Sequence, residues 1–295
     1  MGTSIVSTTL PDLSGRTCMI TGASSGIGRA AALSLAGLGA SLVLVCRDRG
    51  RGEAALAEIR QRTGNADLTL MLADLSSQAQ IRRLAQDFLA TGRPLHVLLN
   101  NAGVMMLRRE ETAEGIETTF AVNHLAYFLL TVLLLDRLKA SAPARVVSVA
   151  SDAHHWAGGG MDFDDLGSMR GYSSMRAYGR SKLANILFTR ELARRLAGTG
   201  VTANCLHPGF VGSNFATNNG WIAKVVMTLA RPAARSPEKG AETAIYLCAS
   251  PEVDGVSGQY FFDRKPKWPK GYAQSDDDAR RLWDTSERLT RASAS

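Results

Sequence analysis

Apolar residues in this chain fall in short unbroken runs rather than in alternation with polar ones. Seven runs read as strands: Thr17–Thr21, Ser41–Cys46, Leu68–Leu72, Val97–Asn100, Arg145–Ala150, Val201–Leu206 and Gly258–Phe261. A strand with one face in water alternates, so these runs predict strands covered on both faces, as in a parallel sheet. Helical patterns separate them. Arg29 to Leu38 is rich in Ala and Leu, and a long helix starts near Thr118. Another runs from about Tyr178 to Ala197, and Gly240–Ala249 and Asp276–Leu289 close the series. The alternation predicts a doubly wound α/β fold with a seven-stranded, mainly parallel sheet and helices on both faces. Ligands of such folds bind beyond the C-terminal strand ends.

The chain has 295 residues, 45% of them hydrophobic, enough for one large domain. Its core is expected over about 14–264, with a C-terminal extension over 265–295. No linker or repeat divides it. The longest apolar run, Leu125 to Leu135, is broken only by Thr131 and is too short to span a bilayer. No basic segment followed by an apolar run marks a secretory signal, and Val6 stands where myristoylation wants Ser or Thr. Cys18, Cys46, Cys205 and Cys248 all lie in apolar elements and read as buried free thiols. A cytoplasmic setting is expected. The net charge of +7 comes from scattered basic residues without interleaved aromatics, so nucleic acid is not an expected partner. An anionic small-molecule cofactor accounts for the charge.

One stretch organises the rest: Thr21-Gly22-Ala23-Ser24-Ser25-Gly26-Ile27-Gly28, on a strand-to-helix turn. Gly22 and Gly26 let the backbone turn and let a pyrophosphate approach, and Gly28 lets the helix pack close to the sheet. The helix-start amides, with Ser24, Ser25 and Ile27, then face the phosphates. The second strand ends at Cys46, where an acid would hold the ribose hydroxyls of NAD. Arg47 follows and can clamp the 2′-phosphate of NADP. Asp48 keeps NAD open, but it can equally cap the next helix. NADP is the expected cofactor. Asp74, before Leu75 at the third strand end, can accept from the adenine amino group or cap a helix. The fourth strand enters Asn100-Asn101-Ala102-Gly103, where small residues let the backbone pass against the cofactor. Met105 and Met106 suit either an adaptable pocket or packing.

Asn123 interrupts the apolar helix and must be hydrogen-bonded, as a tie to a strand or as a catalytic group. The fifth strand delivers Ser151, followed by Asp152, His154, His155 and Trp156. No third ligand has a supporting spacing, so no metal is expected at the His pair. Tyr178 and Lys182 share one helical face. His207-Pro208-Gly209-Phe210-Val211 forms a turn beside the nicotinamide position. The apolar segment 221–229 is read as a lid over the pocket, in preference to a membrane-surface patch.

These elements, in this order, resemble the short-chain dehydrogenase/reductase family over about residues 14–290. Within it the chain is similar to the retinol dehydrogenase and WW-domain oxidoreductase branch. Cys46-Arg47-Asp48, His154-His155 after Ser151, Ser181-Lys-Leu-Ala-Asn185, His207-Pro-Gly209 and Arg281-Leu-Trp283 carry that match. Ala150, where a second Ser is common, and the Gly-rich loop after Trp156 depart from it. The resemblance implies a Rossmann fold and hydride exchange between a nicotinamide and an apolar carbonyl or alcohol. It implies Tyr178 as general acid/base, Ser151 on the substrate oxygen, Lys182 on the nicotinamide ribose, and Asn123 holding a water that links Lys182 to solvent. A Lys182 ammonium about 4 Å from Tyr178 at an effective dielectric near 20 would favour phenolate by roughly 4 kcal/mol, or about 3 pKa units before desolvation. Family members often pair through the helices carrying Asn123 and Tyr178, so a homodimer or homotetramer is compatible. An NAD-dependent alcohol dehydrogenase and a catalytically silent nucleotide-binding scaffold are the alternative readings.

Overall fold

The computed structural model describes residues 11–211 and 234–291. Its strands are β1 (Thr17–Thr21), β2 (Ser41–Cys46), β3 (Leu68–Leu72), β4 (Val97–Asn100), β5 (Ala144–Val149), β6 (Val201–Leu206), β7 (Tyr260–Phe262) and β8 (Lys265–Pro266). They form one sheet in the order β3-β2-β1-β4-β5-β6-β7-β8. Strands β1 to β7 pair in parallel, and β8 returns antiparallel on β7. The sheet thus has eight strands among the described residues, not the expected seven. The extra one is two exposed residues, one a proline, so no apolar run marks it.

The helices are α1 (Gly26–Gly37), α2 (Arg49–Thr63), α3 (Gln78–Ala90), α4 (Thr118–Ala140), α5 (Ser174–Arg195), α6 (Pro237–Ala249) and α7 (Asp276–Arg291). Strand period two explains the two layers. Cys18, Ile20, Leu42 and Leu44 point into the core shared with α1 and α6, whereas Met19, Val43 and Val45 point into the core shared with α3 and α4. Helix α4 is long and apolar enough to cross a membrane by composition, yet most of it is buried inside the protein. Its apolarity is used up in packing on the sheet.

Helix α7 lies over α4 and α5. Trp283 sits between Phe128 and Phe188, with ring centroids 4.9 and 6.0 Å away, and the Arg195 guanidinium lies 4.2 Å from its ring. His124 Nε2 meets Ser286 Oγ at 2.8 Å. Part of the helix face expected to serve pairing is therefore covered by the chain's own C-terminal helix. Segment 221–229, read as a lid, lies outside the described residues.

The order of strands reverses at β1, which has β2 on one side and β4 on the other. That switch point opens a crevice beyond the C-terminal strand ends.

Candidate active site

The glycine turn lies at this crevice. Asp48, Ser77, Ser173 and Ser236 each accept an N–H from the first turn of the helix they precede, at 2.8, 3.4, 3.4 and 3.2 Å. Ser25, at the start of α1, makes no such bond. The first amides of α1 are left facing the crevice, where an anion is best held. Gly22 has φ +68°, and a Cβ there would stand 2.9 Å from the Ala102 Cα. A Cβ on Gly28 would stand 2.4 Å from the Gly22 carbonyl oxygen and 2.5 Å from Asn101 Nδ2. Gly28 therefore sits behind the turn and serves packing. Thr21 Oγ1 accepts the N–H groups of Asn101 and Ala102 at 2.8 and 3.1 Å, and Asn101 Nδ2 donates to Thr21 O at 2.8 Å. Asn101 thus ties the strand end to the turn. The part played by Thr21 has no sequence signal beyond its place in the motif.

At one end of the crevice stand Arg47, Asp48 and Arg51. One Asp48 oxygen is spent on the Arg51 amide, which fulfils the capping expectation. Arg51 lines the crevice too and was missed; its place in the basic run from Arg47 to Arg51 is the signal that could have found it. Asp74 accepts from the Ser76 amide and hydroxyl at 2.9 and 2.7 Å. The cap of α3 falls to Ser77, and Asp74 lines the crevice with Leu75.

Ser151, Tyr178 and Lys182 meet toward the other end. Ser151 follows β5, and its Oγ accepts the Ala153 N–H at 3.1 Å. It also hydrogen-bonds the Tyr178 hydroxyl. Lys182 is buried, donates to Val149 O at 2.9 Å and stands 5.6 Å from the centre of the Tyr178 ring. Burial drives both groups toward their neutral forms. The Lys182 pKa falls to about 7, and the Tyr178 phenol is pushed above its ordinary value, with its bond to Ser151 acting in the opposite direction. The expected lowering of Tyr178 is thus reversed, because burial of the phenol outweighs its bond to Ser151.

Asn123 is buried in a π-helical turn, Ala121–Leu125, inside α4. Its Oδ1 accepts from Val104 N at 2.7 Å, and Nδ2 donates to Val104 O and Ser181 Oγ, both at 2.9 Å. Both amide donors are spent on protein, so the side chain is a tie between α4, α5 and the loop after β4. A Cβ on Gly103 would lie 3.3 Å from Asn123 Oδ1 and 3.6 Å from Lys182 Nζ, which places these three together.

The crevice has a volume of about 1160 Å³. Ser151 and every expected cofactor residue except Gly28 line it: Gly22, Ser24, Ser25, Gly26, Ile27, Arg47, Asp74, Leu75, Asn101, Ala102, Gly103, Tyr178, Lys182, Pro208, Gly209 and Val211. Asn123 stands behind its wall. Met105, Met106, Trp156 and Phe210 add apolar surface. His207 shapes the adjoining turn by accepting the Gly209 amide at Nδ1, 3.0 Å away, and burial lowers its pKa to about 4.

Asp152, His154 and His155 bring their ligand atoms within 4.8 Å of one another. The third group that the sequence spacing did not supply is thus close in space. Its donors are committed, however. His154 uses both ring nitrogens on backbone groups, and the Lys267 ammonium stands 2.8 Å from Asp152.

The short chain dehydrogenase family profile matches residues 16–163 and 165–220. The chain belongs to the short-chain dehydrogenase family. Mouse retinol dehydrogenase 12 is 46% identical over 284 residues, covering 96% of this chain and 89% of that protein. An uncharacterised protein from Mycobacterium paratuberculosis, 35% identical, superposes with a TM-score of 0.77 over 96% of both chains. The Pseudomonas aeruginosa RhlG/NADP active-site complex, 28% identical, gives a TM-score of 0.67 over 89% of this chain and 98% of that one. This short-chain dehydrogenase is an oxidoreductase of the retinol dehydrogenase branch that interconverts a carbonyl and an alcohol on a small molecule with a nicotinamide dinucleotide. The crevice fits such a cofactor: Gly22 and Gly26 line it at the turn, and no side chain caps the first amides of α1 there.

Proposed function

We propose that this enzyme is an NADP(H)-dependent reductase and dehydrogenase of apolar aldehydes, ketones and alcohols, with Tyr178 as general acid/base. The observation that carries the reading is the meeting of Ser151, Tyr178 and Lys182 in one crevice with an uncapped helix start and two arginines. The amides of α1, with Ser24, Ser25 and Ile27, would hold the pyrophosphate, and Arg47 and Arg51 the 2′-phosphate. Asp74 and Leu75 would flank the adenine. Asn101, Ala102 and Gly103 would border the ribose side, Lys182 would hold the nicotinamide ribose, and Pro208, Gly209 and Val211 would border the ring. When bound, the nicotinamide supplies hydride to the carbonyl carbon or takes it from the alcohol carbon.

The chain's own residues do the rest. Ser151 Oγ accepts the Ala153 amide, so its own proton is free for the substrate oxygen or Tyr178. A donor aimed at the oxygen where charge develops typically contributes about 3 kcal/mol. Tyr178, its pKa raised, is protonated at neutral pH and starts as the acid that reduction requires. Lys182, with a pKa of about 7, is poised to exchange a proton near neutral pH. Asn123 holds the Val104 and Ser181 backbone and side-chain groups around that lysine.

Met105, Met106, Trp156 and Phe210 suit an apolar substrate, and the retinol named in the mouse relative is one such molecule. The four buried free cysteines suit a reducing, cytoplasmic setting. The test is the initial rate of NADPH and of NADH oxidation against a panel of retinaldehyde, aliphatic and aromatic aldehydes and ketones. Turnover that favours NADPH is expected. Tight cofactor binding without turnover on any carbonyl would overturn the reading in favour of a silent nucleotide-binding scaffold.

A further inference from the structure

We infer that His154 is a positioning residue that holds Ser151 in place by fastening its turn to the C-terminal segment 265–274. The inference rests on the proposed role of Ser151 at the substrate oxygen.

Ser151 stands where β5 has ended and a 3-10 turn, Asp152–Ala157, begins. No ladder of sheet hydrogen bonds holds it there. The turn is wedged between two partners. On one side it presses on α5, where a Cβ on Gly179 would lie 2.7 Å from Ala153 O and 2.8 Å from the Trp156 carbonyl carbon. On the other side is His154, fully buried although its neighbours His155 and Trp156 are exposed.

The chemistry of His154 fixes its tautomer. Nδ1 lies 2.8 Å from the Ser151 carbonyl oxygen. A carbonyl only accepts, so Nδ1 carries the proton. Nε2 is then the acceptor, and the Lys270 amide donates to it at 3.3 Å. The His154 carbonyl accepts from the Tyr272 hydroxyl at 3.1 Å. Its ring meets the Tyr260 ring edge-on at 5.6 Å. One imidazole thus links the backbone of Ser151 to the segment after β8. A second fastening lies beside it, where Lys267 Nζ meets Asp152 Oδ1 at 2.8 Å. The C-terminal segment grips the turn one and three residues beyond Ser151.

The consequence is catalytic geometry. Ser151 Oγ takes its orientation from the Ala153 amide inside this turn. A turn that slackens moves Oγ away from the oxygen it must meet. A misplacement of about 1 Å costs on the order of 100-fold in rate. Replacing the imidazole should therefore slow chemistry and spare cofactor binding, since the glycine turn and the arginines stand on other elements.

The experiment compares Ser151→Ala, His154→Phe, His154→Asn, Tyr272→Phe and Lys267→Met with wild type in one assay. It reads kcat, KM, NADPH affinity, thermal midpoint and the primary isotope effect with NADPH deuterated at the transferred position. His154→Phe should lower kcat about 10- to 100-fold. Its NADPH affinity should stay within about twofold and its isotope effect should rise. His154→Asn keeps a donor for the Ser151 carbonyl and should recover part of the loss. If His154→Phe does not fold, Tyr272→Phe and Lys267→Met, at two half-buried positions, carry the test, and both should lower kcat more than they move the thermal midpoint. Full turnover by Ser151→Ala would sink the proposed role of Ser151 and this inference with it. Loss in Ser151→Ala with wild-type kcat and isotope effect in the His154, Tyr272 and Lys267 variants would sink the positioning role alone.

Discussion

Asp48 accepts the Arg51 amide at 2.8 Å, so the acid beside Arg47 in the crevice is engaged in starting helix α2. Its neighbour Arg47 is exposed and lines the same crevice, as does Arg51. A 2′-phosphate would meet two cations and an acid already bonded to the backbone. Arg47→Ala should lower kcat/KM for NADPH by about 10- to 100-fold, the worth of a hydrogen bond to a charged group of about 1.5–3 kcal/mol. NADH turnover should hardly change. An unmoved ratio of the two cofactors would show that Arg47 takes no part in the choice.

The closeness of Gly28 to the Gly22 carbonyl makes a second prediction. A Cβ at 2.4 Å leaves no room, and the obstacle is backbone rather than the end of a flexible side chain. Gly28→Ala should destabilise the protein by about 1–3 kcal/mol through overpacking. It should also weaken the rise in thermal midpoint that NADPH produces, because α1 is pushed off its bed. A variant with the wild-type midpoint and the wild-type NADPH response would contradict the geometry.

Lys182 predicts a pH dependence of stability. Its pKa is about 7 when folded, against 10.5 as the ordinary value for the unfolded chain. Between these limits the unfolded chain binds a proton that the folded one lacks, so stability rises with pH across the window. The slope for one such proton is at most about 1.4 kcal/mol per pH unit. Below about 7 both states hold the proton and this contribution is flat. Urea unfolding of wild type and Lys182→Met at pH 7.5 and 9.5 isolates the term, since other groups cancel in the difference. Wild type should gain on the variant as the pH rises; an unchanged difference would show that Lys182 titrates normally.

Trp283 closes α7 onto α4 and α5, in contact with Phe128, Phe188 and Arg195. Trp283→Ala should cost about 3–5 kcal/mol, the usual range for losing a buried aromatic. Pairing through the part of this face that α7 covers would first have to displace it. Sedimentation of the intact chain should therefore give the monomer mass of 31.6 kDa. A dimer dissociated by substitutions on α4 or α5 alone would show that α7 leaves the pairing face open.

Much of this architecture is legible from residues alone, for a physical reason. Strands buried on both faces must be apolar throughout, and Thr17–Thr21, Ser41–Cys46, Val97–Asn100 and Val201–Leu206 fall where their apolar runs place them, as does the half-buried edge strand Leu68–Leu72. The crevice residues were legible because the turn chemistry of Gly22 to Gly28 and the one-turn spacing of Tyr178 and Lys182 are local. What was not legible depends on distant partners. Strand β8 exists only because Phe261 and Phe262 offer it an edge. The π turn at Asn123 has no sequence period of its own. His154 looked like half of a His pair, and its partners at Lys270 and Tyr272 lie more than a hundred residues away. The direction of the Tyr178 shift depends on how deeply two side chains are buried, which spacing does not reveal.

The role of Tyr178 is tested most directly by the rate of NADPH oxidation by Tyr178→Phe with a saturating apolar aldehyde, read beside NADPH binding. The ring stays and only the hydroxyl leaves. Turnover should fall by about 100- to 10,000-fold, the usual worth of a positioned acid, with NADPH affinity within a few-fold of wild type. Wild-type turnover in that variant would contradict this role and remove Tyr178 from the chemistry.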